Sequence, residues 1–166
     1  MRNLSLLLCC LPFAFADTRV TPTPRGPFQV QNSRLVDASG QPVVLRGTRL
    51  TPFRLRDAAH EARSTAQDFG PHSATALSAI RLRFNMNAVR LPADPSGFGQ
   101  PEYWQSLRAV VSRINAFEMT VILEAPGNPE FWSAAARALG DQKNLIFAPS
   151  RGSMAAVIRS AGATQV

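Results

Sequence analysis

The chain has 166 residues, of which 45% are hydrophobic and 17% charged, and this composition suits one globular domain with a sizeable core. Its net charge of +7 comes from 18 Lys and Arg against 11 Asp and Glu, and Lys143 is the single lysine. The arginines are scattered, without a basic run or the interleaved aromatic residues of single-strand binders, so the composition argues against a nucleic-acid partner.

The first residues have the pattern of a secretory signal peptide. Arg2 supplies a positive charge, Leu4 to Phe13 form a short apolar core, and Ala14-Phe15-Ala16 is a small-x-small cleavage site before Asp17. The apolar run is shorter than a bilayer span. We therefore predict that residues 1–16 are removed and that the mature protein is secreted or periplasmic, with no membrane association after cleavage.

Residues that bind metals or react as nucleophiles are scarce in the mature chain. Cys9 and Cys10 both lie in the predicted signal peptide, so the mature protein can form no disulfide and no thiolate metal site. His60 and His72 lie in polar, loop-like sequence without the spacing of metal ligands, and we predict both to be solvated. The sequence predicts no metal site and no cofactor.

After the signal peptide, the chain has a Pro-rich segment and then the start of a folded domain. Residues 17–27 include Thr-Pro-Thr-Pro-Arg-Gly-Pro, a composition typical of an extended and mobile spacer, and we place the domain at 28–166. The domain opens with short strands and a turn that needs a positive φ at Gly40. In chain order these are a hairpin of residues 28–30 and 34–36, the turn 37–40, and the start of a further strand at Pro42-Val43-Val44-Leu45.

From residue 74 onward, helical and strand patterns alternate. The helices are marked by apolar residues at helical spacing and by Pro in the first turn, and Asn85 after the first of them is a candidate left-handed C-cap. The strands are short apolar runs, two of them closed by Pro92 and Pro126. This alternation predicts an α/β fold with a parallel sheet. The predicted order is helix 74–84, strand 88–91, helix 101–114, strand 120–123, helix 129–139, strand 145–147, helix 154–160 and the start of a strand at 163–166.

Four stretches occur in an order that a known enzyme family shares. LVDASGQPVVLRGTRL has the form of an opening hairpin and first barrel strand, and FNMNAVRLP that of a second strand. WQSLRAVVSRINAFEMTVILEAP and FWSAAARALGDQKNLIF have the form of helices leading into a third and a fourth strand. Together, over residues 35–166, they resemble the N-terminal half of a cellulase-like glycoside hydrolase of family 5. The resemblance implies a partial TIM barrel of about four parallel βα units after a short β-hairpin, and hydrolysis of O-glycosyl bonds in polysaccharide.

The resemblance places the functional residues at the C-terminal ends of the strands. Arg90 matches the family's strand-two arginine, which lies beneath the active site and hydrogen-bonds its carboxylates; an ion pair at the sheet end is the alternative for this residue. Glu124 is the best-placed acid and is therefore the candidate catalytic residue. Arg49 and Phe98 are, with Arg90, the candidate substrate-binding residues.

Aromatic residues follow the second and third strands and offer faces on which sugar rings stack. Phe98 lies between two glycines, so we predict that it is exposed and available for stacking. Trp104 and Trp132 match the helical periodicity, and we predict that both belong to the core.

The family's catalytic pattern is incomplete in this sequence. Its acid/base glutamate follows the fourth strand, where an ungapped reading places Arg151-Gly152-Ser153, and its nucleophile belongs to the seventh strand, beyond the last residue of the sequence. Retaining glycosidases need two carboxyl groups about 5–5.5 Å apart. Asp94 and Glu130 are further acids in neighbouring loops, but solvation or helix capping explains them equally well. We therefore expect a truncated, secreted glycoside hydrolase-like protein that is inactive alone.

The alternative is a non-catalytic half-barrel that binds carbohydrate or a partner chain. The predicted ligand is a polysaccharide or an oligosaccharide. An open half-barrel also leaves strand edges unpaired, so we predict self-association through the edges at residues 43–45 and 145–147.

Overall fold

A computed structural model describes residues 20–56, 70–150 and 154–160. The predicted signal peptide, His60, Arg151-Gly152-Ser153 and the predicted strand at 163–166 lie outside the described residues. The described helices and strands are β1 (Gln29–Gln31), β2 (Arg34–Val36), β3 (Gly47–Arg49), α1 (Ala74–Ser78) with a following π-helical turn (Ala79–Arg83), β4 (Ala88–Pro92), α2 (Pro101–Ala116), β5 (Thr120–Ala125), α3 (Pro129–Leu139), β6 (Leu145–Pro149) and α4 (Met154–Ser160).

The strands form a small hairpin and one parallel sheet. Strands β1 and β2 pair antiparallel, and the four-stranded sheet has the order β3-β4-β5-β6 with every neighbouring pair parallel. Because the strand order equals the chain order and helices alternate with the strands, the predicted fold of about four βα units after a hairpin is confirmed.

The first strand of the sheet begins later than predicted. The strand expected to start at Pro42–Leu45 is instead Gly47–Arg49, and Val44 is 73% exposed. Gly47 packs so closely on β4 that an added Cβ would lie 2.2 Å from the carbonyl oxygen of Ala88. The edge predicted at residues 43–45 is therefore wrong, and β3 forms that edge of the described sheet.

The two faces of the sheet differ in polarity, as alternation along each strand requires. One face is buried against the helices and carries the side chains of Val89, Leu91, Val121, Leu123, Leu145 and Phe147, all at most 3% exposed. The opposite face carries Arg90, Ile122 and Glu124, which are partly or fully accessible. The apolar core therefore lies on the helix side, and the charged side chains of the strands project from the other side.

The helix starts follow the sequence signals closely. Pro101 and Pro129 occupy the first turns of α2 and α3, and the side chain of Asn128 accepts hydrogen bonds from the backbone of Glu130 and Phe131. The predicted left-handed residue after the first helix is present, since Asn85 has φ 50°. That helix ends at Ser78, however, and the π-helical turn takes the chain to Arg83.

The Pro-rich segment differs from the free spacer that its composition predicts. Over residues 20–27 it is bound to the loops that precede three strands of the sheet. The amide of Thr21 donates to Asn85 Oδ1 at 2.5 Å, the hydroxyl of Thr23 to the carbonyl of Glu118, and the amide of Gly26 to Asn144 Oδ1 at 2.9 Å. The segment therefore crosses the N-terminal end of the sheet.

His72 is buried, which contradicts the prediction that it is solvated. Its side chain is 2% exposed, and Nε2 lies 2.8 Å from the backbone oxygen of Thr51. The backbone oxygen of His72 accepts a hydrogen bond from Arg113 of α2. The loop after β3 and helix α2 therefore enclose this imidazole, because long-range contacts supply partners that the local sequence does not reveal.

Candidate functional site

The C-terminal ends of the four parallel strands enclose a cleft of about 550 Å³. In parallel α/β folds this end of the sheet is where ligands bind, and the volume is that of a small-ligand site. Residues from the ends of all four strands and the loops after them line the cleft, among them Arg49, Arg90, Pro92, Glu124, Pro149 and Ser150.

Two arginines bind one carboxylate at the mouth of this cleft. Arg90 Nε donates to Glu124 Oε1 at 2.7 Å and its Nη2 contacts the same oxygen, while Arg49 Nε donates to Oε2 at 3.3 Å. The Glu124 side chain is 18% exposed, whereas those of Arg49 and Arg90 are 60% and 59% exposed. Arg90 therefore forms an ion pair with the predicted catalytic acid, a contact that both interpretations of this arginine allow.

The strand register explains why these three side chains meet. Arg49 lies directly opposite Arg90, and Arg90 lies opposite Ile122, two residues before Glu124. Residues two apart on a strand share a face, so all three project from the face that the helices leave open.

The chemistry available to Glu124 is limited by these contacts. Both of its oxygens already accept hydrogen bonds from guanidinium groups, so Glu124 is engaged as the partner of Arg49 and Arg90. Among the described residues that line the cleft there is no second acid. The described lining therefore contains one of the two carboxyl groups that retaining glycosidases use.

The other two candidate acids are held elsewhere. Asp94 accepts a hydrogen bond from the amide of Ser96 at 2.9 Å and lies 3.6 Å from Arg54. The hydrogen bonds from Ser96, together with the charges of Arg54 and Arg56, hold the pKa of Asp94 below its usual value. Glu130 lies in the first turn of α3 and lines a separate depression. Neither acid lines the cleft with Glu124.

Phe98 is the predicted site residue that the structure does not bring into the cleft. It is half-buried, with its ring edge-to-face against Phe131 at 5.8 Å between centroids. It lines a shallow depression of about 410 Å³ together with Glu130. The structure thus joins Arg49, Arg90 and Glu124 in one cleft and places Phe98 apart from them.

A repeated motif positions the loops around the cleft, and the sequence analysis missed it. The sequences PEYW and PEFW open α2 and α3, and each tryptophan indole donates to the backbone oxygen six residues earlier. Trp104 Nε1 binds the oxygen of Phe98 at 2.7 Å, and Trp132 Nε1 binds that of Pro126 at 3.0 Å. Both indoles also pack against the core, as predicted, with Trp132 fully buried and Trp104 partly so. The Pro-Glu-aromatic-Trp repeat was the signal for these anchors.

A further anchor in the first of these loops comes from Tyr103, whose hydroxyl donates to the backbone oxygen of Asp94 at 2.7 Å. Burial is the main cause that raises the pKa of the Tyr103 phenol above its usual value. The phenol is therefore a neutral donor over the whole physiological pH range.

Within the described ranges, no three His, Cys, Asp or Glu residues are grouped so that they could hold a metal ion. No described helix is both long enough and apolar enough to cross a membrane.

Comparisons with known proteins give a fold but no sequence relative. No protein-family model matches the sequence, and no curated protein matches it. A cellulase of glycoside hydrolase family 5 from an Icelandic hot spring isolate, described as thermostable and highly halotolerant, has a similar structure, with a TM-score of 0.56 and 14% identity over 86% of this chain and 52% of that one. The fold of this chain is therefore similar to about half of the barrel of that cellulase.

A second solved structure agrees with this assignment. It is the catalytic domain of Thermobifida fusca endoglucanase Cel5A, a variant in complex with cellotetraose, with a TM-score of 0.57 and 19% identity over 81% of this chain and 50% of that one. The chain therefore spans about half the length of both structures. Because one fold supports many activities, the function must be argued from the cleft itself.

Proposed function

We propose that this chain is a glycoside hydrolase-like half-barrel that binds an oligosaccharide in the cleft and does not hydrolyse it alone. The observation that carries the proposal is the meeting of Arg49, Arg90 and Glu124 at the C-terminal end of the sheet. The binding of cellotetraose to the similar Cel5A domain supports the choice of ligand.

The composition of the cleft suits a sugar. Its lining combines three charged side chains with apolar surface from Pro92, Pro149 and several alanines. Sugar rings present C–H groups to apolar surface and hydroxyl groups to polar side chains, and a few fixed polar groups in a largely apolar lining are typical of small-ligand sites. Glu124 holds both guanidinium groups in place, so their exposed N–H groups are oriented before a ligand arrives.

The same arrangement argues against turnover. General acid–base catalysis alone contributes about 10²–10⁴ in rate, and without a second carboxylate as nucleophile the covalent route is absent as well. We expect the purified chain to show no hydrolysis of cellulose, mannan or xylan oligosaccharides. Hydrolysis above the buffer rate that Glu124→Gln abolishes would contradict this part of the proposal and make Glu124 a catalyst.

Calorimetric titration with cellotetraose tests the binding. We expect weak binding to the wild-type chain and about tenfold weaker binding to Arg90→Gln, because a hydrogen bond from a charged group contributes about 1.5 kcal/mol or more. Arg83→Gln is the matched control, since Arg83 is equally an exposed arginine but lies in the π-helical turn and not in the cleft. Equal losses in the two variants, or no binding to the wild-type chain, would refute the proposed site.

Export remains part of the proposal and rests on the n-region, the apolar run and the cleavage site of residues 1–16. Expression in a bacterial host, followed by N-terminal sequencing of the exported protein, tests it. We expect Asp17 as the first residue. Retention of the intact chain in the cytoplasm would exclude a functional signal peptide.

A further inference from the structure

The cleft carries more positive than negative charge. Arg49 and Arg90 both line it, and Glu124 is the one acid among its described lining residues. One carboxylate neutralises only one of two guanidinium groups, so the described lining of the cleft has a net charge of about +1. A neutral oligosaccharide would leave that charge without a counterpart.

Arg49 is the group that remains available. Only its Nε donates to Glu124, at 3.3 Å, whereas Arg90 uses both Nε and Nη2. The terminal Nη atoms of Arg49 make no hydrogen bond within the part of the chain that the structure describes, and the side chain is 60% exposed. Two parallel N–H groups on a planar guanidinium match the two oxygens of a carboxylate.

The other nearby acid does not compete for this guanidinium. Asp94 is engaged by Ser96 and by Arg54, both in the loops that surround a different depression. An incoming carboxylate would therefore meet Nη groups of Arg49 that no described residue engages, beside a second guanidinium that Glu124 keeps in place.

We infer that the cleft selects oligosaccharides that carry carboxylate groups, such as chains of uronic acid, over neutral ones. This inference rests on the proposed binding of oligosaccharide in the cleft. The sugar carboxylate accepts two hydrogen bonds from the Nη groups of Arg49. Arg90 and Glu124 remain paired; Arg90 donates hydrogen bonds to sugar hydroxyl groups, and Glu124 accepts hydrogen bonds from them.

The test compares two tetramers that differ only in the group at C6 of their sugar rings. Cellotetraose and its C6-oxidised counterpart, the β-1,4-linked tetramer of glucuronic acid, have the same linkage and differ in having CH₂OH or carboxylate groups at C6. Each is titrated calorimetrically into the full chain and into Arg49→Gln, Arg49→Lys and the control Arg83→Gln. Circular dichroism of each variant verifies the fold before titration.

We expect the glucuronate tetramer to bind the wild-type chain about three- to tenfold more tightly than cellotetraose, the range for an exposed but bidentate pair. Arg49→Gln lowers the affinity for both tetramers and abolishes the preference between them, Arg49→Lys retains part of the preference, and Arg83→Gln retains all of it. The preference should also shrink as salt is raised from about 0.05 to 0.5 M, because the pair is accessible to solvent.

The outcomes separate the two proposals. Equal affinity for both tetramers overturns the selection of acidic sugars and leaves the proposed binding function intact. An acidic preference that Arg83→Gln reduces as much as Arg49→Gln overturns it too, because it would come from the overall charge of +7. If neither tetramer binds the wild-type chain, both proposals fail together. The comparison on the wild-type chain depends on no variant folding.

Discussion

Replacing Gly47 by Ala tests whether close strand packing holds the cleft together. Gly47 begins β3, and its Cα partner in the parallel ladder is Ala88 of β4. An added Cβ would lie 2.2 Å from the carbonyl oxygen of Ala88 and 2.7 Å from its carbonyl carbon. Both atoms belong to the backbone of the neighbouring strand, so no rotation of a side chain relieves the overlap.

The size of the effect follows from how far the strands must separate. Restoring ordinary van der Waals contact requires a shift of roughly 1 Å, which the three-residue ladder between β3 and β4 cannot absorb without weakening its hydrogen bonds. Overpacking of this kind costs about 1–3 kcal/mol, and an overlap with backbone atoms belongs at the upper end of that range. We therefore expect Gly47→Ala to lower the free energy of unfolding by about 3 kcal/mol.

Urea denaturation followed by circular dichroism measures this change, with two other glycines as controls. Gly99 has nothing within 4 Å of an added Cβ, so Gly99→Ala should change stability by less than about 0.5 kcal/mol. Gly40 has open space but a φ of +76°, so Gly40→Ala should cost about 1 kcal/mol through backbone strain alone. If Gly47→Ala proves no more costly than Gly99→Ala, the close approach of β3 and β4 is wrong, and so is the position of Arg49.

Four further predictions concern packing, loop anchoring and pH. Leu123→Ala should cost about 3 kcal/mol in urea denaturation because the side chain is fully buried between the sheet and the helices; a loss under 1 kcal/mol would contradict that burial. Thr120→Val should leave stability unchanged or raise it by about 1 kcal/mol, because the buried Thr120 hydroxyl has no hydrogen-bond partner among the described residues; a clear loss would reveal one. Trp132→Phe should lower the free energy of unfolding by more than the loss of ring area predicts, because the indole N–H no longer binds the backbone oxygen of Pro126. Backbone amides in the loop after β5 should then exchange faster, and unchanged exchange would contradict this anchor. Two hydrogen bonds of 2.8 Å from Arg108 hold the pKa of Asp141 below its usual value, so its ionised form stabilises the fold at neutral pH and the contribution disappears as the pH falls through the lowered pKa. Asp141→Asn should therefore lose about 0.5 kcal/mol at pH 7 and progressively less as the solution is acidified, and a loss that does not change with pH would exclude the carboxylate as the cause.

The helices and later strands of this fold are predictable because local signals mark both ends of each. Pro101 and Pro129 fix helix starts, since a residue without an N–H group costs nothing in the first turn. Pro92 and Pro126 stand at the ends of β4 and β5, where the chain must leave the sheet. These start and stop signals act without tertiary contacts, so the sequence suffices to find them.

The first strand of the sheet is different because tertiary contact decides it. Val43-Val44-Leu45 has high β-propensity, whereas Gly47-Thr48-Arg49 has one β-branched residue and a glycine. The second segment nevertheless pairs with β4, because only a residue without a Cβ tolerates the carbonyl of Ala88 at this distance. Propensity therefore favours the wrong three residues, and packing against a strand that is remote in sequence determines the right ones.

The candidate cleft was predictable as a place, but the contacts within it were not. The sequence sets Arg49, Arg90 and Glu124 near strand ends, which parallel topology brings to one end of the sheet. Whether they touch depends on register, because shifting β5 by one residue against β4 would turn Glu124 toward the helices and leave both arginines without an acceptor. The observed register sets Glu124 two residues beyond the Cα partner of Arg90 and on the same face. Arg90 and Glu124 are separated by 34 residues of chain, so only the folded sheet brings their side chains into hydrogen-bond contact.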